Sequence, residues 1–502
     1  MSNSNYIEKI IKGAFLVLSS MALGKLFSYL FIVLVATKLG SHDYGLLSIG
    51  LAISSFLSIF SLLGLDEGVL RFVSYYKGEN NKEAIKGTIL TSFRIVFNSG
   101  IFLGILLLIF SDYISNNIFN EFELPKVLFF IALALPFSTS SQIFLTSFRA
   151  FQKPKYEVII KELFEKSTRL ILTILFLYLG FKLIGALSGL LIASVLTLII
   201  AYLCFNFKIF NIHDKKIESK ENKKELLNYS LPLLLKNFMW YFVAWTDVLM
   251  IGYFKTTSDV GIYNVALPTA SLIIIPAYSI MYLFLPIISE LYAKNKINDI
   301  KEIYKRVSKY TFILNIPLFT LIFLLSEDII KLFFGQEYIS AALPLSFLSL
   351  GYLIYSLTDI CMNMLSVVKR TKTIFFIILL FSISNVILNY LLIPKYSLIG
   401  ASIATSLSFI IGAILMILIS YYYTKLHPFM FNYFKIIVTF LITLIVTFYI
   451  KKLIQLTPLL NILTTGFIIL VIYIFLLYIL KVFEKEDFEV YKKIKSRFSK
   501  KV

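Results

Sequence analysis

The stretch Thr37–Tyr76, TKLGSHDYGLLSIGLAISSFLSIFSLLGLDEGVLRFVSYY, decides how this chain is read. It opens on a short polar corner around Gly40, Ser41, His42 and Asp43 and closes on a charged exit at Asp66, Glu67 and Arg71. Between them lies an apolar run of about 20 residues, the length a helix needs to cross a hydrocarbon core. A weaker copy of the opening returns as TTSDVGIYNVALPTA at Thr256–Ala270. Asp43 and Gly45 match Asp259 and Gly261 at a separation of 216 residues. Ser74, Asn80 and Lys86 match Ser289, Asn295 and Lys301 at 215, and Leu183-Ile184-Gly185-Ala186 matches Leu398-Ile399-Gly400-Ala401 at the same distance. A near-constant offset held this far implies an internal repeat.

Apolar runs of similar length recur along the 502 residues, 58% of which are hydrophobic. A soluble domain averages about 45–50% apolar residues, so the composition predicts an all-α polytopic membrane protein. Fourteen spans are expected: Ala14–Ala36, Tyr44–Leu65, Thr88–Phe110, Lys126–Phe148, Val158–Leu179, Leu183–Phe205, Tyr229–Tyr253, Ile262–Leu285, Thr311–Leu325, Ala342–Leu365, Thr373–Ile393, Leu398–Tyr421, Phe434–Ile450 and Leu459–Leu480. The repeat pairs spans 1–6 with spans 7–12. Six is even, so both halves enter the membrane in the same sense and form two parallel six-helix repeats, with substrate sites commonly between them near the midplane. The expected organisation is a first half at 1–205, a basic cytoplasmic connector at 206–228, a second half at 229–421, two appended helices at 434–480 and a basic tail at 481–502.

The net charge of +19 raises a nucleic-acid reading, but the basic residues lie in loops. With the amino terminus inside, the cytoplasmic segments carry 33 Lys and Arg and the outer loops 7. That bias predicts a multi-pass protein of the cell membrane with both termini cytoplasmic, and no nucleic-acid partner. Cys204 and Cys361 sit in apolar spans without metal-ligand spacing, and His42, His213 and His427 are scattered in loops, so no metal or cofactor is expected. The first apolar segment exceeds a signal peptide's apolar region and reads as a retained helix. No phosphate-binding Walker sequence occurs, and no loop exceeds about 25 residues, too few for a soluble catalytic domain.

Specific motifs narrow the class. The first half carries Lys38-Leu39-Gly40, Asp43-Tyr44-Gly45-Leu46, Leu63-Gly64-Leu65, Gly68 and Arg71-Phe72. The second carries Pro232, Asp247, Ile251-Gly252-Tyr253, Val260-Gly261-Ile262-Tyr263, Asn385, Leu388-Asn389, Leu392-Ile393-Pro394 and Gly400-Ala401. Together they resemble the polysaccharide (O-antigen-type) flippases, a branch of the multidrug/oligosaccharidyl-lipid/polysaccharide exporter superfamily. The resemblance implies a MATE-like fold and a membrane transporter rather than an enzyme. It also implies movement of a polyprenyl-phosphate- or diphosphate-linked oligosaccharide from the cytoplasmic to the outer leaflet, by a protein acting as a monomer among membrane lipids. The alternatives are a cation-coupled drug or small-solute antiporter of the same superfamily and a membrane-embedded glycosyltransferase or glycan polymerase.

Such a transporter must carry an anionic phosphate and a polar glycan through a layer of low dielectric, so ionisable residues within spans are the candidates. Lys25 lies near the middle of span 1; it reads as a cavity cation for phosphate or as the partner of a carboxylate such as Asp247 or Asp359. Arg94 in span 3 and Lys236 in span 7 could collect phosphate or snorkel to headgroups. Arg71 and Arg149 read as positive-inside anchors, with Arg71 also a candidate for gating at the inner exit. Asp247 and Asp359 are candidates for coupling to Na⁺ or H⁺, or for interhelical ion pairs. Glu162 and Glu165, with Lys161, Lys166 and Arg169, form i, i+4 spacings at the inner end of span 5, as an interfacial network or a gate. Asn385 and Asn389 share a face of span 11 for interhelical hydrogen bonds or sugar contact, and Trp240 could stack on a sugar ring or pack as an aromatic. Pro268 and Pro276, eight apart in span 8, mark a bending point.

Overall fold

A computed structural model describes residues 3–220, 222–430, 432–453 and 456–483, with side chains described from Ser19 onward except at 236, 277–280 and 282–283. Nearly all of the predicted basic tail lies outside the described residues. The helices, in order, are α1 (Asn3–Leu62), α2 (Leu65–Gly78), α3 (Lys82–Tyr113), α4 (Leu124–Ala150), α5 (Pro154–Val158), α6 (Lys166–Tyr178), α7 (Lys182–Lys208), α8 (Lys223–Phe254), α9 (Thr257–Ala270), α10 (Ile275–Ala293), α11 (Ile297–Leu324), α12 (Ser326–Phe333), α13 (Ala342–Tyr355), α14 (Thr358–Val367), α15 (Thr371–Thr424), α16 (Asn432–Leu453) and α17 (Pro458–Ile479). Among the described residues, nine helical stretches are long and apolar enough to cross a membrane. The protein is an all-helical, multi-pass membrane protein.

Two of the helices each hold two predicted spans. A straight helix of the length of α1 would measure about 90 Å, three times a hydrocarbon core. It breaks instead at Gly40, whose φ of 85° and ψ of 175° suit a residue without a Cβ. α15 breaks at Ser397, where φ is 50°. Span 5 is also irregular, since α5 and α6 are joined by a π-helical turn at Ile159–Glu165. Span 8 is interrupted where its prolines predict a bend: α9, which contains Pro268, gives way to a 3₁₀ turn at Ser271–Ile274, and α10 starts beside Pro276.

The sequence offset reappears in the backbone. Asn80 and Asn295 have φ of 57° and 55°, Lys182 and Ser397 have 43° and 50°, and Asn120 and Gly335 have 50° and 88°. Each pair is 215 residues apart. Non-glycine residues seldom adopt positive φ, so its recurrence at one spacing in the two pairs without a glycine is a backbone counterpart of the sequence offset.

The chain divides into two compact units, Met1–Val265 with Asn389–Leu398, and Ala266–Leu388 with Ile399–Val502. In the first, Leu65, Val69, Phe72, Ile89, Phe144 and Phe205 belong to one buried cluster. Helices α3 and α4 pack closely because Gly100 lies on Pro136 and Gly104 on the Ala132 carbonyl. The connector between α7 and α8 is laid on α3: Lys86 Nζ donates to the carbonyls of Asp214 and Ile217, both at 2.9 Å, and the Lys220 amide donates to Glu83 O at 3.3 Å.

In the second unit, α11 packs against α10 and α13 on one side and α16 and α17 on the other. The adjoining ends of the last two helices are tied down by polar contacts. Lys451 Nζ sits 3.3 Å from Asp328 Oδ2 and donates to Leu324 O at 2.7 Å, while Asn461 Nδ2 donates to Asp328 Oδ1 at 3.3 Å.

Candidate functional site

The first unit holds most of the sequence candidates, and its backbone is drawn together by small residues. A Cβ on Gly45 would lie 1.9 Å from Thr257 O, and one on Gly261 2.0 Å from Ser41 O. These two glycines therefore set the approach of the α1 corner to α9. Beside them, Asn264 Nδ2 donates to Ser48 Oγ at 2.6 Å and Tyr44 OH donates to Asn264 O at 3.2 Å. Further along, Phe56 meets Tyr241 (5.4 Å between centroids) and Phe60 meets Phe238 (5.9 Å), closing the line between α1 and α8 with aromatic contacts. At the far end Gly64 and Gly68 rest on Ser230.

Lys25 is exposed on α1, and no hydrogen bond or ion pair ties it to another described residue. Its electrostatic neighbours are Lys166 and Glu162, not Asp247 or Asp359. Glu162 belongs to the π turn, and Lys166 Nζ donates to its Oε2. Three residues further along, Arg169 is half-buried with its guanidinium 4.2 Å from the Phe31 ring and with Glu165 and Tyr44 as electrostatic neighbours. Lys161 turns elsewhere and donates to Gln142 Oε1 at 3.1 Å. Arg94 is exposed on α3. The predicted cation at Lys236 lies on α8, with its side chain outside the described residues.

Asp247 is 5% exposed on α8. It accepts hydrogen bonds from Tyr263 OH and Asn389 Nδ2, both at 2.6 Å. Trp240 on the same helix is 36% exposed. In the second unit, Asn385 Nδ2 donates to Thr405 Oγ1 at 3.1 Å, and Asp359 stands in the first turn of α14, where span 10 is broken after Tyr355. The open amide groups at a helix start favour a carboxylate.

At the predicted inner boundary, Arg71 lies 4.0 Å over the Tyr229 ring, a cation–π contact between α2 and α8. Arg149 Nε is 3.1 Å from Glu157 Oε2, yet burial pushes the Glu157 carboxyl above the usual carboxylate range. Burial does the same to Asp66 at the start of α2. At the predicted outer boundary, His42, Asp43 and Glu123 offer ligand atoms within 4.8 Å of one another. His42 is paired with Asp43 (3.6 Å) and Glu121 (3.3 Å), and Glu123 with Lys126 (3.9 Å).

Sequence reasoning placed Glu162 and Lys166 at helical spacing but did not join them to Lys25; the contact of Gly24 with Glu162 does so. Ser48 and Asn264 were missed as well, although the offset of 216 already related them.

The family description "Polysaccharide biosynthesis protein" matches residues 10–292, more than half of the chain. The chain belongs to the polysaccharide biosynthesis protein family. The MatE family description matches residues 232–391. Among relatives of this polysaccharide biosynthesis protein, the uncharacterised membrane protein MJ1068 of Methanocaldococcus jannaschii is 28% identical over 97% of both chains. The probable low-salt glycan biosynthesis flippase Agl15 of Haloferax volcanii is 26% identical over 77% of this chain and 78% of its own. A putative O-antigen transporter of Shigella flexneri is 23% identical over 76% of this chain and 90% of its own. In fold, the chain resembles the lipid II flippase MurJ in an inward closed conformation, with a TM-score of 0.72 at 19% identity over 93% of this chain and 98% of that one. It also resembles an inward-facing multidrug MATE transporter, with a TM-score of 0.70 at 16% identity over 82% and 98%.

Proposed function

We propose that the protein is a flippase that moves polyprenyl-phosphate- or diphosphate-linked oligosaccharide or polysaccharide repeat units from the cytoplasmic to the outer leaflet by alternating access. Lys25 carries this reading. An exposed ammonium, unpaired among the described residues, lies within a long apolar stretch where a charge is costly unless it has work to do. An anionic phosphate is the natural counter-charge, and Arg94 on α3 supplies a second cation in the same unit. The names of the Haloferax and Shigella relatives, a glycan flippase and an O-antigen transporter, support a lipid-linked glycan.

Two further points belong to this reading. The recurring corners support two parallel six-helix repeats with α16 and α17 appended. The 33-to-7 distribution of basic residues supports both termini in the cytoplasm.

The test is translocation of a lipid-linked oligosaccharide by the purified protein in liposomes. Wild type should flip the substrate, and Lys25→Ala should lose at least tenfold in rate while its melting temperature is kept. Normal flipping by the variant would remove Lys25 from the mechanism. Sugar transfer or release by the wild type, without translocation, would overturn the flippase reading.

A further inference from the structure

We propose that Lys166 is a second cation of the phosphate site and that Glu162 holds its place until the substrate phosphate arrives. The proposal rests on the flippase reading and adds residues of span 5 to it.

Three observations lead there. Glu162 is pressed on α1: a Cβ on Gly24 would stand 2.6 Å from Glu162 Oε2 and 2.8 Å from its carbonyl oxygen. Gly24 is the residue before Lys25, so this contact brings the carboxylate to the turn of α1 that carries the exposed lysine. Glu162 in turn accepts from Lys166 Nζ, and the two side chains are only 19% and 22% exposed. Lys25, with both as electrostatic neighbours, brings no counter-charge of its own.

The charges explain why this place differs from the next turn. The π turn at Ile159–Glu165 puts two acid–base pairs against α1, Glu162 with Lys166 and Glu165 with Arg169. The second pair is balanced and half-buried, with the Arg169 guanidinium over the Phe31 ring. The first pair plus Lys25 holds two cations and one carboxylate. A phosphate oxygen accepts the same charge-assisted hydrogen bond from an ammonium as a carboxylate oxygen does. An incoming phosphate with two or more negative charges can therefore take the Lys166 bond from Glu162 and reach Lys25 at once. In the resting protein Glu162 keeps Lys166 from standing as an unpaired, partly buried cation, which would be unfavourable.

The experiment is equilibrium binding of polyprenyl diphosphate and polyprenyl monophosphate to the full-length protein in nanodiscs of neutral lipid. Glu162→Gln keeps the shape but removes the competing charge, and should bind the diphosphate about tenfold more tightly. Lys166→Gln should bind about tenfold more weakly, and Lys161→Gln, whose ammonium serves Gln142, should match wild type. A purely structural ion pair predicts weaker or unchanged binding for Glu162→Gln, and that result overturns the proposal. If Lys166→Gln does not fold, the sign of the Glu162→Gln effect decides alone. Wild-type protein that binds neither carrier would overturn the flippase reading itself. Binding lost in Lys25→Ala but untouched by both span 5 variants would overturn this inference and leave the flippase reading standing.

Discussion

Ser48 and Asn264 stand 216 residues apart in the chain and hydrogen-bond to each other, Nδ2 to Oγ at 2.6 Å. The same offset relates Asp43 to Asp259 and Gly45 to Gly261 in the sequence. Gly45 and Gly261 flank this point, each lying on backbone contributed by the other's strand of sequence.

Gly45→Ala and Gly261→Ala should each destabilise the protein, because the new methyl meets a carbonyl oxygen at 1.9 or 2.0 Å. Overpacking of this kind costs about 1–3 kcal/mol. Thermal unfolding in detergent reads the effect. Both substitutions strain one contact, so the double variant should lose less than the sum. Wild-type melting in either single variant would show that the close approach is absent in solution.

A double-mutant cycle on Ser48→Ala and Asn264→Ala should return a coupling of about 0.6–1.7 kcal/mol, the range for hydrogen bonds between membrane helices. Strictly additive effects would mean that the two side chains do not meet.

Asp247→Ala removes the acceptor of two short hydrogen bonds and leaves Tyr263 and Asn389 to find other partners in a buried place. A loss of about 1–3 kcal/mol is expected. Asp247→Asn can still accept from Tyr263 and should lose less. Equal melting of all three proteins would contradict the described network.

Asp66 gives a pH signature. Burial raises its carboxyl pKa in the folded protein, so the folded state takes up a proton more readily than the unfolded state. Stability from this group is present below the ordinary carboxylate pKa and is lost as pH rises through the raised value. Asp66→Asn removes that loss. The variant should melt higher than wild type at pH 7, and the advantage should vanish as the pH falls below about 4. A variant less stable than wild type at pH 7 would show that the helix start at α2 rewards the charge more than burial penalises it.

The amino-acid sequence by itself determined the class of the protein, the presence of most spans and the position of several corners. Partition between lipid and water depends on local composition, and so does the backbone chemistry of Gly40, Asn80 and Pro268. Such properties can be read one window at a time, and the offset of 215 to 216 needed only a comparison of windows. Lys25 was visible for the same reason, as a charge at a depth where charges are rare.

Only the tertiary structure decided which charges meet. Lys25 is near Glu162 and Lys166 because Gly24 lets α1 close on the π turn; Asp247 meets Asn389, 142 residues away. The connector before α8, read as a polar link, is fastened along α3 by Lys86. These pairings depend on how each helix is rotated and how far it slides along its neighbour. Both are set by the fit of small and large side chains across the contact, so no single stretch of sequence contains them.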